Sequence, residues 1–408
     1  MSHADNQISA KFYHLHKNMW LQSCIDTKYI LIRRYHFMNF RPNPLLYGAH
    51  EDFLSSFKLV ITMRDKIDHD ILLKAVNSSM RRYPYFCVSP QKKGNSIQLQ
   101  FNEAPVPVFK DGRCVVLGTK ECDGHLLAFG CEERKIFLHA SHYIADGMGI
   151  SPLLLSVLYL YISEKYGTNG LDAGRILMPD DPISEDEYAY PFPEEPVLTD
   201  NAETRKKTLC PAYSLDSAAF DKQGLYAYHL RIPQIAMMDV ANPSDGSPVS
   251  FLSVMLFRAL CALDKKIDKP VIAHVQHQYR AAINAPLNRH SLVNYIPIEL
   301  SPVIKERSVE LQNTIIRGQI ILGSEPENDL RSVDRLVSSR RASSSAAISV
   351  TSTIDISSTM MASAWRGSES SLLKNSLQCD NISKTVFAER PLASVTWVKY
   401  LGAAWTDT

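Results

Sequence analysis

Seven consecutive residues, Ser141-His142-Tyr143-Ile144-Ala145-Asp146-Gly147, gather side chains suited to proton chemistry. Histidine ordinarily titrates near neutrality, so a neutral His142 can take a proton from a hydroxyl or amine nucleophile. Asp146, four positions on, supplies a carboxylate able to fix the loop. Gly147 and Gly149 permit either a positive φ or a close backbone approach, as a sharp strand-to-helix turn requires. Two other arrangements fit the same residues. In one, His142 completes a hydrogen bond at a strand end and Asp146 acts as a helix cap. In the other, His139, His142 and Asp146 hold a metal. Zinc, however, wants a further well-placed ligand and hydrogen-bonded support behind its ligands. The sequence offers neither, so no metal is expected.

The elements that must position this turn are legible around it. RKIFLHAS, ending at Ser141, reads as a buried strand. SPLLLSVLYLYISEKYG (151–167) reads as an apolar helix with Ser151 as N-cap, Pro152 at its first position and Gly167 as its stop. Upstream, FKLVITMR (57–64) predicts a strand and DHDILLKAVNSSMRRYP (68–84) a helix begun by Asp68 and stopped by Pro84. Short β-branched and aromatic segments between them (YFCVSP, SIQLQF, PVPVF, HLLAFG) predict a mixed sheet. The second half repeats the pattern loosely. Strands are expected at 226–232, 269–280 and 292–300, with an apolar helix at 247–263 and two helices after residue 303.

These patterns imply two related α/β lobes: 1–176 with the histidine motif, a linker or crossing loop at 177–212, and 213–408. The linker assignment rests on 177–203, which combines five prolines with an acidic excess. Residues 1–50 carry no clear pattern. From Ser338 to Ser371 there are thirteen serines in 34 residues, with no sustained periodicity. That stretch reads either as a disordered, phosphorylatable tail or as sequence the fold did not evolve with.

Composition narrows the function classes. The 408 residues are 45% apolar and 21% charged, enough for a sizeable core. With 44 Lys plus Arg against 43 Asp plus Glu, the formal charge of +1 argues against nucleic-acid or anionic-membrane partners. Eight cysteines (Cys24, Cys87, Cys114, Cys122, Cys131, Cys210, Cys261, Cys379) are scattered without a C-x-x-C pair, as expected of reduced thiols. No apolar stretch follows the N-terminus as a secretory signal would require, and LLLSVLYLYI (153–162) is about half a bilayer span. A cytoplasmic protein with no membrane span is expected.

The His142-x-x-x-Asp146-Gly147 pattern resembles the H-x-x-x-D-G signature of the CoA-dependent acyltransferase superfamily. That group includes chloramphenicol acetyltransferase, plant BAHD acyltransferases, alcohol O-acetyltransferases and peptide-synthetase condensation domains. MRRYPYF (80–86), HYIADGMGISPLLL and QHQYRAAINAPLNRHSLVNYIPIEL (276–300) look most like the alcohol O-acetyltransferase branch, and the resemblance spans roughly residues 56–335. It implies two chloramphenicol-acetyltransferase-like lobes, each a mixed β-sheet with flanking helices, and a tunnel between them. His142 would be the general base there. Asp146 would point away from substrate and pair with an arginine of the other lobe, for which Arg280 is suitably placed, although a solvated strand-end charge describes Arg280 equally well. Gly147 would shape the turn. Asn294 and Tyr295 would lie in a strand passing near the tunnel, or simply support the sheet.

The implied co-substrate is acyl-CoA, most simply acetyl-CoA, with a small alcohol or amine as acceptor and no metal; the chain would act as a monomer. Ser141 stands where condensation domains usually have a first histidine, and the plant family's D-F-G-W-G segment is absent. Both departures argue against those branches. The alternative is a non-catalytic two-lobed homologue that binds a ligand or partner.

Overall fold

The structure, a computed structural model, describes residues 56–93, 96–167, 173–193, 212–213, 232–342, 354–355 and 394–400. The unpatterned start, the strand expected at 226–232 and most of the serine-rich stretch lie outside the described residues.

The first lobe is built on strands β1 (Ser56–Thr62), β4 (Val108–Phe109), β5 (Leu127–Glu132) and β6 (Lys135–Ser141). They are joined by β10 (Ser394–Tyr400), giving the sheet order β10-β1-β6-β5-β4. All neighbours are antiparallel except β4 and β5. A separate hairpin pairs β2 (Val88–Lys93) with β3 (Ser96–Phe101). Helices α1 (His69–Met80) and α2 (Gly147–Tyr166) pack on each other and on one face of the main sheet. Alternation in β1 sends Phe57, Leu59 and Ile61 to that face, where they meet Leu138 and Ala140 of β6 and Leu72, Val76, Leu153 and Val157 of the helices.

The second lobe has its own core. Strands β7 (Val271–Gln278) and β8 (Val293–Leu300) are antiparallel, and β9 (Ile354–Asp355) runs parallel to β7. Val271, Ala273 and Val275 with Ile296, Ile298 and Leu300 pack against Val254 and Phe257 of α4 (Pro248–Leu263) and Ile316 and Ile320 of α5 (Val309–Gly323). A short α3 (Gln234–Ala241) precedes α4, and α6 (Pro326–Ala342) follows α5. Among the described residues the protein is therefore a mixed α/β fold, with one main sheet in each lobe flanked by helices and the separate β2–β3 hairpin. One departure concerns the C-terminal stretch: β10, expected with the second lobe, hydrogen-bonds along the whole of β1 in the first. Its sequence SVTWVKY is β-branched and aromatic enough for a strand despite the serine-rich composition before it.

The helix after the motif also begins earlier than the sequence implied. Asp146, not Ser151, is the N-cap of α2, its carboxylate accepting from Gly149 N at 2.7 Å, and Pro152 lies inside the helix. The cap wins because it satisfies a first-turn N–H, while proline within the second turn costs one bond to the Met148 carbonyl. By length and composition this 20-residue helix would suffice to cross a membrane. Here Ile150, Leu153, Leu154, Val157 and Tyr161 are buried in the first lobe.

β6 is buried on both faces, and its second face carries a polar residue at a cost. His139 lies directly opposite Lys58 of β1, both 5% exposed. Lys58 Nζ donates to the Gly112 carbonyl at 2.8 Å and sits 4.2 Å from the Phe137 ring centroid. Burial first, and then the Lys58 charge, push the His139 pKa down to about 4. The imidazole is therefore neutral in the folded protein, whereas in the unfolded chain it protonates near its ordinary 6.5. Stability from this residue is complete above pH 6.5 and declines as pH falls toward 4, by about 3 kcal/mol in total. His125 and His290, also lowered mainly by burial, act in the same direction. Thermal melts between pH 7 and 4 should show a falling midpoint, with a shallower slope for His139→Gln; an unchanged slope in that variant removes His139 from the account.

Candidate active site

The turn is organised by the strand that feeds it. Ser141, last residue of β6, accepts Ile144 N (3.1 Å) and Ala145 N (3.3 Å) on its carbonyl and Tyr143 N (3.2 Å) on Oγ. Tyr143, Ile144, Ala145 and Asp146 are thereby buried, and His142 is the half-exposed member of the turn. Its ring lies 4.7 Å from that of Phe57, tilted by 46°. An aromatic wall on one side limits the rotation of the imidazole.

Asp146 is 1% exposed and its carboxylate has three donors from separate parts of the chain. Oδ1 accepts from Gly149 N at 2.7 Å and from Arg280 Nη2 at 2.8 Å, and Oδ2 accepts from Leu292 N at 3.0 Å. Arg280, at 4% exposure, is tied in turn: Nε donates to the Asn288 carbonyl (3.0 Å) and Nη2 to the His290 carbonyl (2.7 Å). The structure thus brings together the two residues the resemblance paired, and it also gives Asp146 the capping position. Neither Gly147 nor Gly149 has a positive φ. What Gly149 supplies is room, since a Cβ there would lie 2.1 Å from the Arg289 carbonyl oxygen. Helix and second-lobe loop touch backbone to backbone.

A second buried joint went unrecognised in the sequence. Glu187, in the segment read as a linker, is 4% exposed and accepts from Arg82 Nη2 (2.6 Å), Arg82 Nη1 (3.1 Å) and Tyr85 Oη (2.8 Å). The Arg289 Nε lies 3.7 Å away. Burial raises the Glu187 pKa, but the hydrogen bonds from Arg82 and Tyr85 outweigh it, and the net shift is downward. The local signal was present, for Ser184-x-x-Glu187 is a capping box and forms one. Its partner Arg82, 105 residues earlier, carried no signal.

Asn294 and Tyr295 separate. Asn294 stands opposite His277 across the β7–β8 ladder, on the side of Asp329, whose Oδ2 is 3.1 Å from His277 Nε2. Tyr295, 44% exposed, projects from the other face, where its Oη accepts from Gln276 Nε2 at 3.3 Å. Adjacent strand residues point to opposite faces, so a single channel cannot be lined by both. His274 and His277 are divided in the same way. A small cleft adjoins the turn, on the side of Tyr143 and Ile144, walled by Tyr85, Leu99, Tyr188 and Arg289; His142 is not among its walls. Among the described residues no group of three His, Cys, Asp or Glu is placed to hold a metal, and Asp146 has both oxygens engaged.

No protein-family model matches the sequence, and no curated protein is similar to it. Among solved structures, the chain is similar to the epimerization domain from the third module of tyrocidine synthetase B, with 10% identity, 70% of each chain covered and a TM-score of 0.48. It is similar to the first condensation domain of the CDA synthetase at 11% identity, covering 70% of this chain and 72% of that one, with a TM-score of 0.47. For F. graminearum TRI101 complexed with coenzyme A and deoxynivalenol, the identity is 11%, the coverage 72% and 77%, and the TM-score 0.46. The likeness is one of fold.

Two substitutions test the joint. Asp146→Asn leaves the Arg280 guanidinium buried without its counter-charge and should lower the free energy of urea unfolding by about 3–5 kcal/mol. Gly149→Ala forces the Arg289 backbone away from the helix and should cost about 1–3 kcal/mol in the same assay; an unaltered midpoint for either would show that the contact does not bear on stability.

Proposed function

We propose that the protein transfers an acyl group from an acyl-CoA thioester to a small alcohol or amine, with His142 as general base. The observation that carries this reading is the setting of the turn: its carboxylate is buried and held by both lobes, and His142, packed against the Phe57 ring, is the residue of 141–147 that is not fully buried. An imidazole on a turn so anchored stands at a fixed place, which is what a general base requires.

In the proposed step, His142 takes the proton from the acceptor O–H or N–H as the acceptor's lone pair attacks the thioester carbonyl carbon. The tetrahedral adduct collapses with cleavage of the C–S bond, and the departing thiolate recovers the proton from the imidazolium. The products are an ester or amide and free coenzyme A. Asp146, Gly147 and Arg280 act as positioning residues, and they touch neither reactant. Acetyl is the acyl group we favour, on the alcohol O-acetyltransferase resemblance. Of the two strand residues, Tyr295 is the better candidate for contact with an acceptor, since Asn294 is turned toward Asp329. The proposal includes a cytoplasmic site of action and no metal.

A second reading, a ligand-binding homologue without catalysis, draws on one observation: the cleft beside the turn is not walled by His142. Thiol release from acetyl-CoA, screened over small alcohols and amines, separates the two. His142→Ala should lower the rate of thiol release about 100- to 10,000-fold with the acceptor that wild type uses. Equal rates in wild type and variant would sink the general-base role, and binding of an acceptor without any thiol release would favour the second reading.

A further inference from the structure

The second buried joint lies on the path that holds the histidine. We infer that Glu187 is a positioning residue for the His142 turn, acting through the 288–292 loop. For its kinetic consequence this rests on the acyl-transfer reading; its structural consequence does not.

The geometry forms a closed ring of short contacts. On the first-lobe side, the Glu187 carboxylate is held by Arg82, two residues past α1, and by Tyr85 in the turn that follows. The same stretch is tied to α2, where Tyr83 Oη lies 2.8 Å from Ser156 Oγ. On the other side, four consecutive strap residues offer their carbonyls to the 288–290 loop. Arg289 N donates to Glu187 O at 2.8 Å, Asn288 Nδ2 to Asp186 O at 3.1 Å and Ala189 O at 2.8 Å, and His290 Nε2 to Tyr188 O at 3.0 Å. The His290 bond requires the proton on Nε2, as in a neutral imidazole of that tautomer. The loop then grips the catalytic turn. It presents the Asn288 and His290 carbonyls to Arg280, Leu292 N to Asp146, and the Arg289 carbonyl to Gly149. From Asp146 the chain runs back four residues to His142, and through α2 to Ser156, closing the ring.

A closed ring constrains more than its separate ties. Asp146 and Arg280 fix the turn relative to the loop, and the Glu187 joint fixes the loop a second time, to the stretch of the first lobe that follows α1. The carboxylate is specific for this role because it faces donors alone: the Arg82 guanidinium, the Tyr85 hydroxyl and the Ser184 amide. An amide in its place would set N–H against N–H on one side and open the ring there.

The test uses the full chain, with Glu187→Gln as the main variant and the milder Tyr85→Phe as the one that carries the test if the first does not fold. Hydrogen exchange is read at the Gly149 and Leu292 amides, both donors to Asp146, and at Val275 in the second-lobe core. In Glu187→Gln the first two should exchange about tenfold or more faster, with Val275 at the wild-type rate; Tyr85→Phe should show the same pattern with a smaller change. In the thiol-release assay kcat should fall about tenfold with KM for the acyl donor unchanged. Wild-type exchange at Gly149 and Leu292 in a folded variant would overturn the inference. So would parallel acceleration at all three amides, which marks general destabilisation only. If the wild-type chain releases no thiol, the acyl-transfer reading fails, and the exchange measurement still decides the role of Glu187.

Discussion

A carboxylate withdrawn from water between two lobes dictates much of the surrounding structure. Burying Asp146 uncompensated would cost several kcal/mol, so the folded state exists only where donors meet its oxygens. It finds three: one from the first turn of its own helix, and two from the second lobe. Each donor imposes a requirement of its own. The helix must begin at Gly147, the Arg289 backbone must come close enough that only glycine fits at 149, and Arg280 must be buried with carbonyls to receive its remaining N–H groups. Two readings that looked exclusive in the sequence, helix cap and inter-lobe partner, are both realised, because a carboxylate has lone pairs for each.

The same logic recurs at Glu187. Three guanidinium groups (Arg82, Arg280, Arg289) and two carboxylates (Asp146, Glu187) meet in one region, and burial lowers the pKa of His290 within it. The lobes are joined here by directional contacts, beside an apolar cluster of Phe192, Tyr279 and Leu292. Apolar contact is insensitive to orientation, whereas a hydrogen-bonded ion pair tolerates only a narrow range of distance and angle. A joint of this kind costs more to assemble but fixes how the lobes meet, and with it where the turn that carries His142 stands.

Much of this was legible. The strand ending at Ser141, Asp68 as the start of α1, Ser247 with Pro248 at the start of α4, and strands β7 and β8 of the second-lobe sheet follow from periodicity and capping residues, which act over a few positions. The errors lie where a distant contact overrode a local preference. Ser151-Pro152 is a good local helix start, yet the helix begins four residues before Ser151, where the cap doubles as an ion-pair partner. Residues 177–203 look like linker by their prolines and acids, yet Glu187 within them is buried, because a guanidinium far back in the chain arrives to meet it. β10 was hidden for the same reason: its register is set by β1, more than 300 residues upstream.

Taken by itself, the sequence determined the local grammar: two α/β lobes, a strand-turn-helix carrying His142 and Asp146, and the chemical types able to move a proton and anchor a loop. Periodicity, caps and residue chemistry suffice for those, since each depends on neighbours within a turn or two. Only the tertiary structure decided the pairings: that Arg280 is buried against Asp146 and not a solvated strand-end charge, that Asn294 and Tyr295 face apart, that Gly149 serves close approach and not a positive φ, and that Glu187 belongs to the joint at all. Those outcomes depend on the balance between desolvation and pairing for charges remote in sequence, and that balance is struck only when the chain is folded.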